Sequence, residues 1–156
     1  MSNIVVSSDL PHTWDHIRKI RHQVGEALKD GDPGMCSAAM MVASELVENA
    51  VKYGEAVPAA RNISMSVALS EDKLQISVRN GCRDAAGVKE LHRRIREISE
   101  AADKAALYMA RLEQLMADPL DSGKLGLYRV AFEGQFEMHF DYADQVVTII
   151  ATRKHV

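Results

Sequence analysis

Strict two-residue alternation, occurring in two separate stretches, narrows what this chain can fold into. Ile63, Met65, Val67 and Leu69 alternate with Asn62, Ser64, Ser66 and Ala68. After a turn at 70–73, Leu74, Ile76 and Val78 alternate with Gln75, Ser77 and Arg79. The pattern returns near the C-terminus, where Phe136, Met138 and Phe140 alternate with Glu137 and His139 ahead of a turn and a strand over 146–152. Strands with one apolar and one polar face belong to a sheet covered on one side only. Asn3–Ser7 reads as a further short strand.

The remaining apolar residues recur at helical spacing. Trp14, Ile17, Ile20, Val24 and Leu28 mark a helix over 12–29, which Gly31-Asp32-Pro33-Gly34 ends. Met40, Ala43, Leu46, Val47, Ala50 and Val51 form the stripe of a second helix over 36–53, with Gly54 as its stop. Helices and strands that segregate in this way predict an α+β two-layer sandwich, with a mixed, mainly antiparallel sheet and helices on one face. At 156 residues the chain suits a single domain, 1–156, that buries about two-thirds of its unfolded surface.

Residues 84–117 form a helical insert. Val88, Leu91, Ile95, Ile98, Ala102, Ala105, Met109, Leu112 and Met116 step by three and four. One unbroken helix of this length would reach roughly 50 Å, longer than such a domain is wide. Either the segment breaks near 99–101 into two helices, or it protrudes and pairs with a second copy as a homodimer. The alanines in the seam and the sparse flanking charge pairs favour two helices.

A net charge of −3 argues against a nucleic-acid partner, which needs a basic face. The run His92-Arg93-Arg94-Ile95-Arg96 is flanked by Glu90, Glu97 and Glu100 and reads as a solvated helix face. With no charged-then-apolar leader and no stretch long enough to span a bilayer, a cytoplasmic location away from membranes is expected. Cys36 and Cys82 are far apart and suit reduced thiols. His12 and His16 share metal-ligand spacing without a third ligand, which favours a wet surface pair.

The stretch Glu45-Leu-Val-Glu-Asn49-Ala-Val-Lys52-Tyr-Gly54 carries the candidate chemistry. A spacing of four places Glu45 and Asn49 on one helix face, one turn apart. A carboxylate and a carboxamide so placed can hold a magnesium ion that keeps part of its water shell. The plainer reading is a solvated face with Glu48 and Lys52 as an ion pair.

With the order helix, helix, hairpin, Asn80-Gly81 corner, helical insert, Gly123-Lys124-Leu125-Gly126-Leu127 and closing strands, the chain resembles the GHKL, or Bergerat-fold, ATPase superfamily. Glu45-x-x-x-Asn49-Ala50 is similar to its N box. The short length and Arg21-x-x-Val24-x-x-x-Leu28 resemble most the anti-sigma-factor serine/threonine kinases of bacterial partner switching. This resemblance implies ATP and Mg2+ as ligands, Glu45 as the catalytic base and Asn49 as the metal ligand. It implies nucleotide contacts from Asn49, Lys52, Asn80, Gly81, Gly123, Lys124, Leu125 and Gly126, and a mobile lid at 84–117. The implied partner is an anti-anti-sigma-like domain or a sigma factor.

Two departures stand out. Where the family has Asp-x-Gly-x-Gly to bind adenine, this chain has Asn80-Gly81-Cys82; Asn80 offers a carbonyl acceptor without charge, or forms an ordinary turn. Lys124 stands where the family has glycine, and either adds a phosphate contact or blocks close backbone approach. The alternative function is therefore a binding module on the same scaffold, an adaptor or homodimer without nucleotide turnover.

Overall fold

The computed structural model describes residues 3–117 and 125–154. Its elements are β1 (Asn3–Leu10), a 3-10 turn (Trp14–His16), α1 (Ile17–Leu28), α2 (Pro33–Tyr53), β2 (Ile63–Leu69) and β3 (Lys73–Gly81). Then follow α3 (Ala85–Glu100), α4 (Lys104–Ala117), α5 (Gly126–Phe132), β4 (Glu137–Ala143) and β5 (Val146–Lys154). The strands form one sheet in the order β1-β2-β3-β5-β4. Every neighbouring pair is antiparallel, so the sheet is not mixed as expected. The chain crosses from β3 through three helices to the far edge, then returns by a hairpin so that β5 seats beside β3. Asp144 and Gln145 take φ values of 55° and 63° in that hairpin, the double left-handed turn that suits the twist of two-residue loops.

The alternation read from the sequence is realised in burial. Ile63, Met65, Val67, Leu74, Ile76, Val78, Val147, Ile149 and Ala151 are buried on one face. They join Ile20, Val24, Leu46, Val47 and Ala50 from the helices in one large core cluster. Ser64, Ser66, Ser77 and Thr148 on the other face are half-buried. This is a two-layer α+β arrangement. β1 extends beyond the expected Ser7 to Leu10, and its pairing with β2 shifts register between Ile4 and Val6.

Three expectations change. The first helix starts as a 3-10 turn, whose three-residue period puts Trp14 out of phase with the later stripe and leaves that residue 57% exposed. His12 precedes that turn rather than sharing a helix face with His16; both are half-buried, and the Nε2 of His12 is buried without a partner. Asp32 belongs to α2, not to the end of α1: its carboxylate accepts from the Met35 N–H at 3.0 Å, and Pro33 follows at the first helical position.

The insert is two helices. Ala101 leaves α3 with φ −66°, ψ 125°, and the Asp103 carboxylate accepts from the Ala106 N–H at 3.0 Å to begin the next helix. The three-residue break rotates α4 out of the heptad seam. Val88, Ile95 and Ile98 are buried on α3, but Tyr108 and Arg111 are the buried residues of α4, while Met109 and Met116 lie exposed. No helix among the described residues is long and apolar enough to cross a membrane, and Cys36 and Cys82 are free thiols.

Replacing Asp32 by Ala removes the α2 cap and should cost about 1 kcal/mol, a fall of roughly 2–4 °C in melting temperature for a domain of this size. An unchanged melt would mean that Pro33 alone sets where α2 begins.

Candidate functional site

The end of α2 is packed onto the end of β3. Gly54 closes the helix with its N–H on the Ala50 carbonyl at 2.9 Å, and a Cβ there would collide with that carbonyl and with the Asn80 amide. Glu55 then donates its N–H to the Gly81 carbonyl at 2.8 Å. Asn80 and Gly81 are consequently not a corner: they are the last two residues of β3, in register with Val147 and Val146. Asn80 is buried, and its Nδ2 donates to the Gly81 carbonyl at 3.0 Å.

This close approach leaves a cavity of about 270 Å³ between α2, the sheet and α3. Leu46, Asn49, Ala50 and Tyr53 form its α2 wall; Val78, Asn80, Val147 and Ile149 form its floor. Cys82, Asp84 and the α3 residues Val88, Glu90, Leu91 and Arg94 close the remaining side with Leu127. The volume is near the lower end for small-molecule pockets, and the mostly apolar walls with a few convergent polar groups match their usual make-up. Asn49 supplies the sharpest polar feature, because its Nδ2 is buried without a hydrogen-bond partner. A buried amide left unpaired costs roughly 1–3 kcal/mol.

Glu45 lies one turn back along α2 and is not on the cavity wall. Its carboxylate packs against Gly126 at the start of α5, where a Cβ would collide with Oε2. Arg129 Nη1 donates to Glu45 Oε1 at 2.8 Å, and Arg129 Nε donates to Glu133 Oε2 at 2.6 Å. Only 15% of the Glu45 side chain is exposed. Burial, then repulsion from Glu48, raises its carboxyl above the ordinary 4.5, against the opposing fields of Arg129 and Arg21. A carboxylate with a raised proton affinity is suited to general-base work.

The expected site residues thus separate, and Gly81 does not line the cavity but holds the end of β3 to Glu55. Asn49 and Asn80 meet in the cavity, whereas Glu45, Leu125 and Gly126 gather beside it at the α2–α5 contact. Lys52 is exposed, with its Nζ 5.2 Å from the Tyr53 ring centroid, and does not line the cavity. Gly123 and Lys124 lie outside the described residues. Glu45 and Asn49 share a helix face, as their spacing requires, but not one cavity, because Gly126 and Arg129 draw the carboxylate towards α5. Among the described residues no group of three or more His, Cys, Asp or Glu could hold a metal ion.

Several participants have no local signal in the sequence. Arg94 sits in a run that reads as solvated, yet it is buried and pairs with Glu90 at 3.1 Å, while Arg93 and Arg96 are exposed as expected. Tyr128 Oη donates to Glu97 Oε1 at 3.0 Å, which ties α5 to α3. Arg129 reaches Glu45 across 84 residues of sequence. No family model matches the chain, and no curated protein matches it.

A raised carboxyl pKa has a definite sign in stability. The native state keeps a proton that the unfolded chain releases above 4.5, so stability falls as pH rises through the window from 4.5 to the raised value. Glu45→Gln keeps the shape and removes the charge. Its melting temperature near neutrality should equal or exceed that of the wild type by up to a few degrees, and the difference should vanish at about pH 4. A lower melt near neutrality would make the Glu45–Arg129 pair a net stabilising contact instead.

Proposed function

We propose that this chain has the Bergerat architecture and is an ATP-binding regulatory protein of the anti-sigma-factor type. In this reading it is a Mg-dependent serine/threonine protein kinase acting in the bacterial cytoplasm on a small regulatory partner, an anti-anti-sigma-like domain or a sigma factor. The observation that carries the reading is the buried, unpartnered Nδ2 of Asn49, a residue on the wall of the cavity between α2, α3 and the sheet. Natural cores rarely leave such a group unpaired unless a ligand or water completes it. Glu45, one turn away with a raised proton affinity, supports the same reading.

The unpaired Nδ2 of Asn49 is a donor and suits a phosphate oxygen, and the oxygen of the same amide is the group that a nucleotide-bound magnesium ion would take. Such an ion takes one or two protein oxygens and fills its remaining positions with phosphate and water, so it needs no preformed carboxylate cluster. Asn49 would hold it through its side-chain oxygen, and the ion would supply charge neutralisation on the phosphates. In the transfer itself, the Ser or Thr hydroxyl oxygen forms a bond to the γ-phosphorus as the bond between that phosphorus and the β–γ bridging oxygen breaks. Glu45 takes the hydroxyl proton, and ADP leaves with the electron pair. The apolar walls built by Leu46, Val78 and Ile149 suit the base of the nucleotide and exclude water from it.

A second reading draws on two observations. Asn80 stands in the place of a charged acceptor and spends its NH2 on the Gly81 carbonyl, and Glu45 does not line the cavity that Asn49 lines. These features favour an interaction module, an adaptor or homodimer, that does not turn nucleotide over.

Thermal melting separates the two. At a hundredfold excess over its dissociation constant, Mg-ATP should stabilise the protein by about 2.7 kcal/mol, a rise of several degrees. The rise should shrink when EDTA replaces magnesium, and in Asn49→Ala it should lose its dependence on magnesium. Absence of any shift at millimolar Mg-ATP would leave the module reading.

A further inference from the structure

We infer that Arg129, held in turn by Glu133, is the positioning residue for the Glu45 carboxylate in phosphoryl transfer. The inference rests on the kinase reading of the α2 site and adds a component that nothing in the N-box pattern assigns. Arg129 occupies both edges of its guanidinium: Nη1 donates to Glu45 at 2.8 Å and Nε to Glu133 at 2.6 Å. The Glu133 contact is local, four residues on from Arg129 at the residue that caps α5, and the Glu45 contact bridges two helices. A planar fork anchored at one end loses little freedom when its other end fixes a second carboxylate.

The other side of Glu45 is fixed by shape. Its Oε2 lies against the α-carbon of Gly126, where any side chain would displace it. The carboxylate is therefore gripped between a backbone surface and a cation, which restricts its rotation about the side-chain axis. The charged and titratable groups around it are Glu48 on its own helix, Arg21 on α1, Tyr108 on α4, Arg129 on α5 and Glu133 just after it. Of the two cations, Arg129 makes the direct hydrogen bond, whereas Arg21 donates to Ser44 at 3.0 Å. A base must meet the hydroxyl proton at hydrogen-bond distance, and a misplacement of about 1 Å can cost a hundredfold in rate.

The test compares Arg129→Gln and Arg129→Lys with the wild type in transfer of the γ-phosphoryl group from Mg-ATP to a hydroxyl acceptor. In Arg129→Gln, kcat should fall about tenfold to a hundredfold while KM for Mg-ATP stays within about twofold. Arg129→Lys should recover part of kcat, since one cation can reach Glu45 but cannot bridge both carboxylates. A raised KM with unchanged kcat would make Arg129 a nucleotide contact, and an increased kcat would make it a restraint; either overturns the inference.

A second arm needs no turnover. With glutamate labelled at the carboxyl carbon, the Glu45 signal is assigned by its loss in Glu45→Gln. In the wild type it should be displaced from the signals of exposed glutamates, and Arg129→Gln should move it towards them, with folding checked by the thermal melt of each variant. An unmoved signal overturns the inference whatever the nucleotide chemistry. A wild type that neither binds nor transfers phosphate, yet shows the moved signal, overturns the kinase reading and leaves the Arg129 grip on Glu45 standing.

Discussion

The helix α2 is the member that ties α1 and α5 to the sheet. Its buried side, Val42, Ala43, Leu46, Val47 and Ala50, meets α1, α5 and the apolar face of the sheet. Burying such side chains yields roughly 1.5–3 kcal/mol each for the larger aliphatic ones, and the alanines permit close approach. Because the helix ends hard against β3 at Gly54, its last two turns cannot slide or tilt independently of the sheet. That constraint gives Asn49 and Asn80 a fixed relation across the cavity.

Around that rigid member the polar groups are not arranged for maximal stability. Glu45 is buried enough that its charge is disfavoured, and the nearby Glu48 opposes ionisation less than burial does but in the same sense. Asn49 holds a donor with no acceptor. Burial works against the Glu45 charge even with Arg129 beside it, and the unpaired Asn49 donor weakens the native state outright. Their presence within one helical turn of each other, beside a cavity, is the pattern expected where local rules are broken for a functional reason. The Tyr128–Glu97 hydrogen bond links the two helices that flank this region, so α3 and α5 are coupled through a side-chain contact rather than through the backbone.

Much of this was legible in the sequence, for identifiable reasons. Alternation at 62–79 and 136–152 records two unlike sheet faces, and burial follows it from Ile63 to Ala68 and from Lys73 to Asn80, lapsing at Leu69 and Gly81. The α2 stripe is legible at Ala43, Leu46, Val47 and Ala50, which are buried, while Met40 and Val51 at its margins are half-buried. Regular spacing proved less reliable in the insert, where the seam steps correctly across Ala101–Asp103 but the backbone does not stay helical to use it. Asn80-Gly81 carries a strong turn signature, yet the pair continues β3, because the segment at Glu55 and Val57 crosses over Gly81 and leaves room only for glycine. Least legible were the long-range charges. Arg94 looks identical to its solvated neighbours until the fold turns it inward, and no local pattern joins Arg129 to a carboxylate on another helix.

The irregular register where β1 joins β2 has a consequence for how copies of this chain behave towards one another. β1 is an outermost strand, and Ile4 and Val5 are its most apolar exposed positions. An unbroken strand of that composition would present a straight ladder of amide donors and acceptors, an invitation to fibrillar stacking. The offset between Ile4 and Val6 interrupts the ladder at that greasy end, and such kinks coil a strand away from flat docking. The molecule thereby keeps an oily margin without offering it as a template for runaway assembly.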